Sequence, residues 1–183
     1  MQYYIIDAFT AKPFGGNPAA VCLVDRPLED ATMAAIAREM NLSETAFVRE
    51  EGRAFRLRWF TPAIEVKLCG HATLASARAL REAGKAAGRE VAFETLSGRL
   101  TARFDGDLIE LNFPTLEARE SPLLERLPEA LGFSFSAVEW SGVNAHRNWL
   151  IQLSSEQIVR ELKPDREKTM ALPAHGIIVT ARS

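Results

Sequence analysis

Lys67-Leu68-Cys69-Gly70-His71-Ala72-Thr73-Leu74-Ala75-Ser76-Ala77-Arg78-Ala79-Leu80-Arg81-Glu82-Ala83 is the stretch that decides the fold. Loop passes straight into helix at Gly70, and the helix should run to about Ala83. Ala72, Leu74, Ala75, Ala77, Ala79, Leu80 and Ala83 leave it almost without polar interruption. A helix this apolar and this small-sided is expected to be buried and central, wrapped by sheet. Gly84 and Gly88 close it.

The flanking segments supply the strands. Tyr3 to Phe9 is rich in β-branched and aromatic residues and predicts a first strand. Pro13-Phe14-Gly15-Gly16-Asn17-Pro18 reads as a loop, and Ala19 to Val24 resumes strand character. Met33, Ile36, Ala37 and Met40 recur at helical spacing, predicting a helix from about Leu28 to Met40. Thr45–Arg49 and Ala54–Phe60 form a hairpin through Glu51-Gly52, with Phe55, Leu57 and Trp59 on an apolar face and Arg56 and Arg58 on a wet one. Pro62 stops the second strand. Val91–Glu94, Leu100–Phe104 and Leu108–Phe113 are three further short strands.

Pro114 marks a boundary, and the chain divides into residues 1–115 and 116–183. Glu117 to Pro128 reads as charged linker or helix. Ala137–Ser141, Asn148–Leu153 and Gly176–Thr180 are strand candidates, with a short helix Ser155–Leu162 capped by Ser154 or Ser155. The second block thus offers strands and only peripheral helix, with nothing expected to cover their apolar face.

Composition narrows the class. With 183 residues, 47% hydrophobic and 25% charged, the chain can bury a real core. A formal net charge of −2 gives no broad attraction to nucleic acid or acidic membranes. The first residues lack a basic start, and their apolar run is too short for a signal peptide or membrane span. Two cysteines (Cys22 and Cys69) without a Cys-x-x-Cys pair, and three histidines, give no obvious zinc ligand set. Two free thiols fit a reducing cytoplasm.

Three junctions carry side chains suited to chemistry. In Gly15-Gly16-Asn17-Pro18 the glycines allow backbone to approach a ligand and Asn17 offers a donor and an acceptor; a plain turn before a strand explains the same residues. In Asn41-Leu42-Ser43-Glu44-Thr45-Ala46-Phe47 the carboxylate of Glu44 stands beside apolar neighbours. There it would lose hydration and move toward the range of a general acid or base, although a turn glutamate is more often a surface residue. In Cys69-Gly70-His71-Ala72 the helix begins with unpaired amides and a favourable dipole, a ready site for a carboxylate. His71 can orient a ligand or shuttle a proton, and Cys69 would be favoured as thiolate by the same dipole. A capping histidine beside an inert buried cysteine is the plain alternative.

Taken together, Asp7-Ala8-Phe9-Thr10, Phe14-Gly15-Gly16-Asn17-Pro18-Ala19-Ala20-Val21, Asn41 to Phe47, Arg58-Trp59-Phe60-Thr61-Pro62 and Cys69-Gly70-His71-Ala72-Thr73-Leu74-Ala75 occur in one order. In this the chain resembles the PhzF-like isomerases of phenazine biosynthesis, which share the fold of diaminopimelate epimerase. The resemblance implies an α+β fold: two pseudo-symmetric domains, each a curved, mostly antiparallel sheet around a central helix, with the site in the cleft between them. It implies no cofactor, no metal and a homodimer. Glu44 would be the general acid/base moving a proton on a small carboxylate-bearing substrate, assisted by His71, with Asn17, Ser43, Gly70, Ala72 and Thr73 holding the substrate. Family members are longer and open a second central helix with an Asp-Pro-Val-Thr-Gly-Ser-Ala-His stretch, which has no counterpart here. The second domain is therefore expected to be incomplete, through truncation or because a partner chain supplies the helix. Lys67 stands where the family often has an acidic residue.

Two other readings share these residues. Cys-Gly-His also resembles the catalytic segment of proline-racemase-type enzymes, which would make Cys69 the base abstracting an α-proton from an amino acid. An incomplete chain could instead be an inactive small-acid-binding or oligomerisation module.

Overall fold

The computed structural model describes residues 1–12, 14–113 and 115–182; Pro13 of the expected loop, Pro114 of the expected boundary and the final Ser183 lie outside them. The chain divides into two compact units, Met1–Phe113 and Pro114–Ser183, two residues earlier than the expected division.

The first unit holds β1 (Gln2–Ala8), β2 (Asn17–Val24), α1 (Asp30–Met40), β3 (Thr45–Glu51), β4 (Ala54–Phe60), β5 (Glu65–Val66), α2 (Gly70–Glu82), β6 (Glu90–Thr95), β7 (Gly98–Asp105) and β8 (Leu108–Asn112). Seven strands follow one another in the order β1-β2-β3-β4-β6-β7-β8, and β5 pairs with β4. The pairings are antiparallel except β2 with β3 and β4 with β6. Laid flat, six strand spacings would put β1 about 29 Å from β8. Yet α2, a helix only about 10–12 Å across, touches both β1 and β8 as well as β2 and β3. The sheet must therefore curl around it, giving the expected α+β, epimerase-like half-barrel.

Side-chain size makes the curl possible. Ala72, Ala75, Ala77, Ala79 and Leu80 of α2 are fully buried against Val21, Val48, Leu57, Trp59, Phe93, Leu100 and Ala102 of the strands. Methyl groups on the helix let strands approach closely, while the larger residues come from the sheet. Two hydroxyls lie in this interior, and each bonds its own helix: Thr73 Oγ1 donates to the Cys69 carbonyl at 2.5 Å and Ser76 Oγ to that of Ala72 at 2.7 Å. Neither is left unpaired in the core.

The outer face is not the wet surface the alternation suggests. α1 covers it, and Phe60 packs with Cys22, Met33, Ala37 and Phe47 in a second apolar cluster. Arg58 is drawn into this layer. Its guanidinium donates to both carboxylate oxygens of Glu65 at 2.7 Å and to Asp30 of α1 at 2.8 Å, and it lies over the Phe60 ring. The sequence gives no local sign that a helix 20 residues upstream would fold over these arginines.

The second unit holds β9 (Ala118–Glu120), α3 (Leu127–Leu131), a 3-10 turn at Phe135–Ala137, β10 (Val138–Asn144), β11 (Asn148–Leu153), α4 (Glu156–Glu161), α5 (Arg166–Met170) and β12 (Gly176–Ala181). Its four strands run β12-β11-β10-β9, with only β11 and β12 parallel. The stretch expected as linker or helix contains β9, an exposed three-residue strand held by backbone pairing to Gly142–Asn144 and so without apolar alternation to announce it. β10 runs on through Gly142 because the Trp140 ring lies over that glycine and fills the place of a side chain. One expectation needs correcting. The sheet face carrying Trp149, Ile151 and Leu153 is covered, by Leu127, Ala130 and Leu131 of α3 and by Leu172. The other face bears Ile178, 55% exposed. Ser155 caps α4, accepting from the Ile158 amide. Among the described residues no helix is long and apolar enough to cross a membrane.

Because α2 is the post around which the sheet closes, Leu80→Ala should lower the unfolding free energy by about 2–5 kcal/mol. Urea denaturation followed by the fluorescence of Trp59 in a Trp140→Phe/Trp149→Phe background would measure it.

Candidate active site

Two element ends bring the reactive side chains together. α1 terminates at Asn41, whose left-handed conformation (φ 50°) suits asparagine better than most residues. The chain then turns back through Leu42 and Ser43 and delivers Glu44 to the lip of β3, where its carbonyl accepts from the Ala20 amide at 3.3 Å. The other end is the start of α2, with Cys69 as the residue before the first turn.

At this junction His71 Nε2 lies 3.4 Å from Glu44 Oε2 and 3.3 Å from Ser43 Oγ, while its Nδ1 lies 3.4 Å from Cys69 Sγ. The Glu44 side chain is 20% exposed and that of His71 10%, so both face a recess rather than open solvent. The cluster sits at the edge of the apolar core, with the imidazole in reach of one carboxylate, one hydroxyl and one thiol.

Electrostatics assign the protons. Burial pushes the Cys69 thiol up to about 12; the Ala72 and His71 amides pull the other way, and the Glu44 carboxylate adds to the rise. Cys69 is therefore a thiol, not a thiolate. Burial also lowers the His71 pKa, outweighing the attraction of Glu44, so the ring is neutral near pH 7. A protonated thiol beside Nδ1 favours the tautomer with hydrogen on Nε2, and that N–H then faces Glu44 and Ser43.

Gly70, Ala72 and Thr73 form the first turn of α2, where the early amides have no carbonyl partner within the helix. Ala72 and Thr73 are fully buried; the Thr73 hydroxyl and amide both donate to the Cys69 carbonyl, and the Ala72 amide faces the Cys69 sulfur. A Cβ added at Gly70 would meet only the Phe113 ring, at 3.9 Å. Packing does not require glycine there, and the space is left open. Gly16 differs: with φ +74° and a virtual Cβ 2.1 Å from the Ala8 carbonyl, it is demanded by the chain itself. Asn17 opens β2 at the end of the sheet where Glu44 precedes β3, three residues before the Ala20 that pairs with Thr45. Among the described residues its side chain takes no part in the hydrogen bonds of the cluster. Lys67 is exposed, and its carbonyl accepts from Ser97 Oγ.

Cys22 lies on the α1 face of the sheet and Cys69 on the α2 face. The two thiols cannot act as a pair. The Glu44–Cys69 proximity was not visible in the sequence; 25 residues separate them, and the packing of α2 against β3 brings them together.

A family model described as phenazine biosynthesis-like protein matches residues 6–183. A Pseudomonas aeruginosa protein named an uncharacterized isomerase is 42% identical over 182 residues, covering 100% of this chain and 68% of that protein. A crystal structure of a PhzF-family phenazine biosynthesis protein from Enterococcus faecalis matches with a TM-score of 0.86 and 38% identity, over 97% of this chain and 66% of that one. A Pseudomonas aeruginosa protein described as a predicted epimerase shares the fold at a TM-score of 0.73 and 23% identity, over 97% of this chain and 68% of that one. The chain spans about two thirds of the length of these relatives. Motif order, fold and relatives agree: the chain belongs to the phenazine biosynthesis-like (PhzC-PhzF) protein family, which includes proteins named isomerases.

Proposed function

We propose that the chain is the part of a cofactor-independent isomerase that carries the proton-moving base, acting on a small metabolite with a carboxylate group. The observation that carries this reading is the Glu44 carboxylate held 3.4 Å from a neutral His71 at the opening of α2. In this role Glu44 takes a proton from one carbon and returns it to another on the same face of the substrate. Its partial burial removes competing water, and the Nε2–H of His71 stabilises the carboxylate while it is charged. The substrate carboxylate would rest against the amides opening α2, with the space over Gly70 allowing close approach. A cysteine base is disfavoured by the thiol held near 12 and by the absence of a facing thiol among the described residues.

Two variants test the reading. Glu44→Gln should lower the rate at which an accepted carboxylic acid exchanges carbon-bound hydrogen for deuterium by at least about 100-fold, followed by proton NMR in heavy water. Undiminished exchange would remove Glu44 from the mechanism. Gly70→Ala should keep the melting temperature, since the new methyl meets only ordinary contacts, while raising KM with little change in kcat.

The lowered His71 pKa has a signed consequence for stability. As pH falls from the ordinary value of 6.5 toward the folded value, the unfolded chain binds a proton that the folded chain does not. Stability at this site is thus full above 6.5 and lost as pH drops through that window. Thermal melts at pH 7.5 and pH 5 should show a larger acid loss for the native chain than for His71→Gln.

A further inference from the structure

Glu44, Cys69 and His71 are the one group of three metal-ligating side chains that converge among the described residues, each offering an atom within 4.8 Å of the other two. We propose that these three side chains form a binding site for a thiophilic divalent cation, Zn2+ foremost, whose capture switches off proton transfer by occupying the Glu44 carboxylate.

The geometry is close to what such an ion requires. In a tetrahedral zinc site with the usual bond lengths, neighbouring ligand atoms stand roughly 3.3–3.7 Å apart. Cys69 Sγ and His71 Nδ1 are already at 3.4 Å. Glu44 Oε2 stands against the other ring nitrogen, Nε2, at 3.4 Å, and closing it onto an ion held by Sγ and Nδ1, from a separation within 4.8 Å, takes a side-chain movement of roughly 1–1.5 Å. The ligands stand on a strand lip and a helix start, which are firm supports, and a three-ligand set leaves the fourth position to water.

The chemistry of the donors selects the ion. One sulfur, one imidazole nitrogen and one carboxylate oxygen suit zinc or cobalt and are poor for magnesium or calcium, which take oxygen. Cys69 Sγ stands within reach of both the Glu44 carboxylate and the His71 ring, so the cation would take the place of the thiol proton where acceptors already meet. On binding, the S–H bond breaks, the proton leaves to solvent and a metal–sulfur bond forms, with no change of oxidation state. The α2 amides of His71 and Ala72 favour the thiolate so produced.

Binding stands on the cluster alone; the inhibitory consequence rests on the reading of Glu44 as base. The full chain is titrated with Co2+ under reducing conditions and followed by absorbance, with circular dichroism confirming the fold of each variant. The expected result is one Co2+ per chain with a thiolate-to-cobalt charge-transfer band, displaced by Zn2+, retained in Cys22→Ser and absent in Cys69→Ser. Glu44→Gln and His71→Gln should each weaken binding by at least about tenfold, so the site can be judged even if Cys69→Ser fails to fold. No band in the native chain, a band that survives Cys69→Ser, or unchanged affinity in both other variants overturns the site. Were Glu44→Gln to keep full deuterium exchange, the proton-transfer reading would fail while the cobalt titration still decided the metal site.

Discussion

The first unit depends on one steric constraint, the narrowness of α2. A helix presenting Ala72, Ala75, Ala77 and Ala79 to its surroundings has a slim profile, and only a slim helix can be touched by strands from both ends of one sheet. Larger residues at those positions would push the strands outward and open the curl. The volume missing on the helix is made up by Leu57, Trp59, Phe93 and Leu100 reaching in from the strands, so the interior is filled by complementary sizes.

The reactive cluster is a by-product of that arrangement. A central helix must begin somewhere, and its first amides open at the rim of the half-barrel where the strands also begin. β2 and β3 are parallel, so Asn17 and Glu44 arrive at the same end, and the left-handed Asn41 sets the direction in which Ser43 and Glu44 return. The carboxylate and the helix start are therefore neighbours through topology, although nothing in the local sequence links them.

Much of this was legible beforehand. The α2 boundaries, the β3–β4 hairpin, β11 and the cap of α4 follow from periodicity, glycines and a serine at the right spacing. The Ser43-Glu44 and Cys69-Gly70-His71 segments were recognisable as a constellation by their order along the chain. What escaped was tertiary. Arg58 looks like part of an exposed face until α1 covers it, β9 is too short and polar to show alternation, and α3 and α5 are five-residue helices with too little length for a periodic signal. In the cluster, the engagement of the Thr73 hydroxyl by its own helix and the freedom of space at Gly70 are matters of position, which residue type alone does not report.

The two hydroxyls of α2 have a wider consequence. Because Thr73 and Ser76 satisfy themselves within their own helix, they ask nothing specific of the strands. Where these two hydroxyls sit, the contact between helix and sheet is fixed by shape. Descendants of such a sequence can exchange strand residues of matching bulk without having to find new bonding partners across the gap, and drift can proceed there while the rim, where the charged and proton-bearing groups gather, stays constrained.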